Sequence, residues 1–295
     1  GNMEGHGACS VGFVLVAIFS SIYLVSGRPP VTCDLVIFPC PCKTLTDVGI
    51  DFPLLDLNSS NMELTHIPDM RPLRKAKIYR LDLSKNRIRF VNDSAFAGLD
   101  FQPERQYAVL RLSNNPVEFI SPNAFRGITA TKFILELKEM RLETYPFQSL
   151  QHIPSVTHLK LGSNQLTYLP YNAFEGLLSL ELLSLAHNPI KVLAHGIFKD
   201  QSDSLKVLGL QNTGMDEFPL PELVSLKYLN KLYLQGNHIT YLPNKLLEKL
   251  PRTVKELDLD LSHNEITQIQ YDVFARSNPR RNPIKVNLIL DFNRI

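Results

Sequence analysis

A chain of 295 residues with 31 Lys and Arg against 29 Asp and Glu carries a formal charge of only +2, and neither end holds an acidic or basic tail. That balance excludes nucleic acid and anionic membrane surfaces as expected partners, since both require clustered Lys and Arg. A hydrophobic content of 44% is ample for a core.

In chain order, the first element is an uncharged apolar run, Val11 to Val25, followed by Ser26-Gly27 and then Arg28-Pro29-Pro30. This fits the hydrophobic core and small-residue cleavage point of a secretory leader. It predicts a leader over 1–27, a mature chain starting near Arg28, and a protein that is secreted and extracellular. The run is shorter than the roughly 20 residues a bilayer span needs, so no membrane insertion of the mature chain is expected. All four cysteines, Cys9, Cys33, Cys40 and Cys42, lie before residue 43. The segment 28–56 is expected to form a cysteine-bearing unit before the main domain.

From residue 57 to residue 295 one pattern recurs. Its clearest copy is Leu183-x-Leu185-x-x-Asn188-x-Ile190, and copies start at Leu57, Leu81, Leu110, Leu135, Leu159, Leu183, Leu208, Leu232, Leu259 and Leu288. The spacings are 24, 29, 25, 24, 24, 25, 24, 27 and 29 residues, and a period in that range means a solenoid. The alternating leucines predict a short strand whose leucines face one side. Asn86, Asn115, Asn164, Asn188, Asn237, Asn264 and Asn293 occupy the asparagine slot, where an amide is expected to satisfy backbone groups of adjacent coils. Apolar-Pro steps such as Leu169-Pro170 close the turn. A second apolar layer, including Phe96, Phe125, Phe174 and Phe198, is expected to fill the convex side. The two 29-residue spacings contain Asp100 to Arg105 and Arg276 to Pro283, and both read as lengthened convex loops. The 27-residue spacing adds one Asp-Leu step in Glu256 to Leu261, giving either a longer strand or a slipped register. The chain reaches Ile295 halfway through its tenth coil, so the sequence reads as a piece of a longer protein.

The string L-x-x-L-x-L-x-x-N-x-L-x-x-L-P, with phenylalanine in its second half, resembles the typical subclass of extracellular leucine-rich repeat proteins. The resemblance implies an α/β solenoid, a horseshoe with a parallel concave sheet and an irregular convex side. Cys33-x6-Cys40-x-Cys42 resembles that family's N-terminal cap, which implies two disulfides, first cysteine to third and second to fourth. Here this gives Cys33 with Cys42. Ser59 stands where the fourth cysteine belongs, so Cys40 is either free or paired with another chain, unless an uncleaved leader supplies Cys9. The Pro39-Cys40-Pro41-Cys42 opening is similar to that of arthropod proteins named for the non-catalytic subunit of a shrimp luciferin monooxygenase, which implies a possible enzyme partner subunit.

If the strand leucines face in, the residues beside them face the concave side. The expected partner-binding column is Arg80, Arg111, Glu136, Lys138, His158, Lys160, Lys231, Tyr233, Asp258 and Asp260, with a protein or glycan as ligand. The small, apolar neighbours Leu182, Ser184 and Ala186 fall between the two more polar groups. No nucleophile, phosphate-loop, dinucleotide or metalloprotease string occurs. His187 and His263 fall three coils apart, about 14 Å at 4.8 Å per coil, too far to share an ion. No catalytic residue, metal or cofactor is therefore expected, and the protein reads as a non-enzyme. Asn58-Ser59-Ser60 and Asn92-Asp93-Ser94 are acceptor sequences for N-linked glycans.

Overall fold

A computed structural model of the chain describes residues 42–45, 54–74, 76–103, 107–275 and 283–295. The leader segment 1–27, Cys33, Cys40 and residues 276–282 of the last long spacing lie outside them.

Fifteen strands are described: β1 (Cys42–Leu45), β2 (Leu54–Asn58), β3 (Lys77–Asp82), β4 (Phe90–Val91), β5 (Asp100–Phe101), β6 (Ala108–Arg111), β7 (Phe119–Ile120), β8 (Thr129–Ala130), β9 (Phe133–Glu136), β10 (Val156–Lys160), β11 (Leu182–Ser184), β12 (Val207–Gly209), β13 (Lys231–Tyr233), β14 (Glu256–Asp260) and β15 (Lys285–Ile289). The strand of every repeat from β2 to β15 joins one sheet in the order β2-β3-β6-β9-β10-β11-β12-β13-β14-β15, all parallel. Parallel pairing follows from the repeat, because each coil returns the chain to the same side before the next strand begins. Register holds leucine to leucine, Leu159 to Leu183 to Leu208 to Leu232 to Leu259, and these residues are at most 1% exposed. Each such burial contributes about 1.5–3 kcal/mol. At the N-terminal edge β1 pairs antiparallel to β2, with Cys42 opposite Leu57. This covers backbone groups that an open edge would leave unpaired. Cys42 is disulfide-bonded.

The asparagines act as the spacing implies. Asn188 Nδ2 donates to the carbonyls of Leu161 (3.0 Å) and Leu185 (2.9 Å), and its Oδ1 accepts from the N–H of Leu166 (3.1 Å), so one buried amide ties its own coil to the preceding one. Asn86, Asn115, Asn164, Asn264 and Asn293 repeat the arrangement. At Thr213 the hydroxyl takes part of the role, donating to the carbonyl of Leu210 at 2.9 Å. One residue before each slot the backbone is left-handed. The residues are Asn61, Lys85, Asn114, Glu139, Ser163, His187, Asn212, His263 and Phe292, with φ of 51° to 59°, and Gly236 with φ of 70°. His187 and His263 are thus turn residues.

On the convex side the chain runs mostly as turns, with three four-residue helices, α1 (Phe147–Leu150), α2 (Leu220–Leu223) and α3 (Leu246–Lys249). The phenylalanines stack behind the sheet: Phe96 on Phe125 at 5.9 Å, and Phe174 between Phe198 at 5.6 Å and the edge of Tyr145 at 5.5 Å. All four are fully buried.

Two details differ from, or decide between, the sequence expectations. The 27-residue spacing gives a longer strand with no slip: Lys231, Leu232 and Tyr233 stay opposite Asp258, Leu259 and Asp260, and the added Glu256-Leu257 pairs with Lys285-Val286. The insert expected as a convex loop begins instead within the sheet. Asp100–Phe101 pairs with Lys77-Ile78 on one side and Thr129-Ala130 on the other. Phe101 is fully buried, 4.9 Å from Phe133. The leucine register of β6 with its neighbours is kept, and Tyr107, just before β6, meets His158 of the concave sheet with ring centroids 4.4 Å apart.

Candidate functional site

The sheet register places two concave columns beside the buried leucines. One reads Asp56, Arg80, Val109, Ile134, His158, Leu182, Val207, Lys231, Asp258, Asn287. The other reads Asn58, Asp82, Arg111, Glu136, Lys160, Ser184, Gly209, Tyr233, Asp260, Ile289. Arg80, Arg111, Glu136, His158, Lys160, Lys231, Tyr233, Asp258 and Asp260 therefore share one face, and Lys138 lies two residues beyond Glu136, its N–H donating to Ser113 Oγ at 3.1 Å.

In the N-terminal half these charges are already partnered. Arg80 holds Asp56 through two bonds of 2.7 Å, and Asp56 keeps that guanidinium above its ordinary pKa. Arg111 reaches Asp82 at 3.3 Å and Glu136 at 3.1 Å, and Lys160 takes the other Glu136 oxygen at 2.8 Å. Acid and base alternate from coil to coil, so neighbours in the column neutralise one another. Such partly exposed pairs contribute about 0–1 kcal/mol each; their main effect is that Arg80, Arg111, Glu136 and Lys160 meet a ligand already neutralised. His158 is covered by Tyr107, and burial pushes its pKa below the ordinary histidine value, so it is neutral at pH 7.

Lys231 lies 3.7 Å from Asp258 in the C-terminal half, and Asp260 accepts from both the N–H and the hydroxyl of Ser262. Between the two halves the face changes character. Leu182 and Val207 occupy one column, half-buried, while Ser184 and Gly209 occupy the other. A side chain at Gly209 would place its Cβ 2.8 Å from Gln211 Oε1, so the glycine keeps the floor low there. The result is a shallow apolar trough bounded by Tyr107, His158 and Lys160 on one side and Lys231 and Tyr233 on the other.

The expected column omitted Asp56, Ile134 and Tyr107. The same two-residue arithmetic yields the first two, but an apolar side chain such as Ile134 at an outward position is easily assigned to the core. Tyr107 carries no periodic signal, because it sits in the insert. Among the described residues, no group of three or more His, Cys, Asp or Glu is placed to hold a metal ion.

A family model described as leucine rich repeat matches residues 133–190, the span that runs from β9 through β11. The fold matches the solved Toll–Spatzle complex of Drosophila with a TM-score of 0.57 at 19% identity, covering 79% of this chain and 33% of that one. The chain has the leucine-rich repeat fold. Osteomodulin of Rattus norvegicus is 29% identical to this leucine-rich repeat chain over 240 residues, covering 81% of it and 51% of the relative. Chaoptin of Drosophila melanogaster is 28% identical over 220 residues, covering 74% of the chain and 14% of the relative. A leucine-rich repeat-containing G-protein coupled receptor of Mus musculus is 30% identical over 130 residues, covering 43% and 13%. The leucine-rich repeat chain thus spans about half the length of the osteomodulin and much less of the other two.

Proposed function

We propose that the protein is a non-enzymatic extracellular recognition module that seats a protein partner on its concave face. The observation that carries this reading is the central trough of Leu182, Val207, Ser184 and Gly209. Its apolar side chains are half open to solvent, and the charges on its N-terminal side are held by one another. A partner with an apolar protrusion gains by covering the trough, and Tyr233 at its margin is a residue type that anchors interfaces. A glycan would instead call for unpaired carboxylates and open aromatic faces in the trough. The similarity to osteomodulin and to a leucine-rich repeat-containing receptor supports a binding role, and the Toll chain of the structural neighbour is held with Spatzle.

Photo-crosslinking in the fluid that contains the secreted protein tests this. A photoreactive residue at Val207 is expected to capture a partner that one at Tyr171, exposed on another face, does not. Capture from Tyr171 alone would remove the concave reading. Recovery of an enzyme in fixed ratio from Val207 would assign the accessory-subunit role that the narrower resemblance implies.

The extracellular location rests on the leader over 1–27, the Cys33–Cys42 pairing and the glycan acceptors. Asn58 ends β2 and Asn92 lies in the turn after β4, and both are exposed. Intact-mass analysis of the secreted protein is expected to give a chain beginning near Arg28 that loses mass on N-glycosidase treatment. An unchanged mass would remove Asn58 and Asn92 as modified sites.

A further inference from the structure

A second surface lies away from the concave sheet. Nine residues after each repeat leucine, the chain exposes a column along one lateral side, including Phe90 (49%), Phe119 (50%), Tyr168 (66%), Val192 (76%) and Tyr241 (50%). Coil after coil, the stretch from Tyr168 to Tyr241 reads Tyr168, Val192, Glu217, Tyr241. A row of apolar side chains is interrupted once, by an acid.

The interruption falls in a groove of about 420 Å³ between the coils that begin at Leu183 and Leu208. Val192, Phe218 and Pro221 form its walls, and Asp216, Glu217 and Glu222 supply carboxylates. Glu222 is only 9% exposed, carried on α2 after Pro219. Its nearest opposite charge is Nδ1 of His195, at 4.0 Å, on a side chain that is 88% exposed and charged only when protonated. Desolvation pushes the Glu222 carboxyl above its ordinary pKa, against its own backbone N–H and His195, which act the other way. Neither Asp216 nor Glu217 forms an ion pair among the described residues, and Lys191 is the one ammonium lining the groove. A desolvated carboxylate without a full partner gains strongly from an incoming cation.

We propose that this lateral groove is a docking site for a protein segment carrying a basic side chain flanked by apolar residues. The Lys or Arg enters between Val192 and Phe218 to meet Glu222 and Glu217, and the flanking apolar residues lie on Tyr168 and Tyr241. The long aliphatic stem of either basic residue suits apolar walls, with its charged head at the acidic end. This contact is independent of the concave trough, so one partner can span both surfaces or two partners can bind at once.

Three peptide amides, each carrying fluorescein at the N-terminus through a β-alanine spacer, test it on the full chain by anisotropy: Leu-Ala-Lys-Ala-Leu, and the same sequence with norleucine or glutamate in place of lysine. The lysine peptide is expected to bind about tenfold or more tightly than either comparator, an advantage equivalent to one charged contact. Glu222→Gln is expected to remove that advantage. Val192→Lys, at an exposed position that places the protein's own cation over the groove, is expected to abolish binding whether or not Glu222→Gln folds. Leu182→Arg in the concave trough is expected to leave the peptide affinity unchanged, which separates this site from the concave one. Equal affinity for the three peptides, no binding by any, or full binding by Val192→Lys overturns the proposal.

Discussion

Replacing Asn188 with alanine is expected to destabilise the protein by about 3–5 kcal/mol. Three buried backbone groups lose their partner at once: the carbonyls of Leu161 and Leu185 and the N–H of Leu166. Each orphaned buried group costs about 1–3 kcal/mol. Asn188 is fully buried, so water does not replace the amide without opening the coil. The damage should be local in origin and long in reach. A solenoid is held by contacts between neighbouring coils, and this residue joins the coils that begin at Leu159 and Leu183. Denaturant unfolding measures the loss, and hydrogen exchange should show the Leu166 amide deprotected first. An unchanged midpoint would mean that the asparagine ladder does not carry the stacking.

Phe174→Ala should cost a similar amount by a different route. The ring sits between Phe198, stacked at 5.6 Å, and Tyr145, edge-on at 5.5 Å, and is fully buried. Removing it loses the transfer energy of a large apolar group and leaves a cavity, together about 3–5 kcal/mol. The flanking aromatic contacts, about 0.5–1.5 kcal/mol each, are lost as well. Phe174→Leu, which keeps most of the volume, should recover over half of the loss. Were alanine and leucine to destabilise equally, packing at this layer would not be what holds the convex side.

The periodic part of the molecule was legible because the cause of each feature repeats. Leu159, Leu183 and Leu208 recur with the strand, Asn164 and Asn188 recur with the turn, and Phe174 and Phe198 recur with the layer behind the sheet. The two-residue alternation also located the outward residues, including Glu136 and Lys160. Pairing was not legible, since whether Arg111 faces a partner or solvent depends on Asp82 and Glu136 in adjacent coils reaching it. The insert that begins at Asp100 was misplaced for the opposite reason. It belongs to no period, so nothing in the spacing told that Phe101 would enter the core or that Tyr107 would cover His158. Likewise, the left-handed turn residue is announced only where it is glycine or asparagine, at Gly236, Asn61, Asn114 and Asn212; at Lys85 or Glu139 the fold imposes a conformation that the side chain does not favour. The lateral groove required the third dimension, because Val192 and Glu222 come from different coils.

On the proposed function, the partner sits in the apolar trough between the two charged halves of the concave sheet. With the partner recovered by crosslinking from Val207, its affinity should be compared between the unaltered protein and Leu182→Arg, with the melting temperature of both recorded. Leu182 faces out of the sheet beside buried Leu183, so the substitution should leave the fold intact. A protrusion that must then bury an unpaired guanidinium should lose about 100-fold or more in affinity, roughly 3 kcal/mol. Unchanged affinity in a folded Leu182→Arg protein would contradict the account.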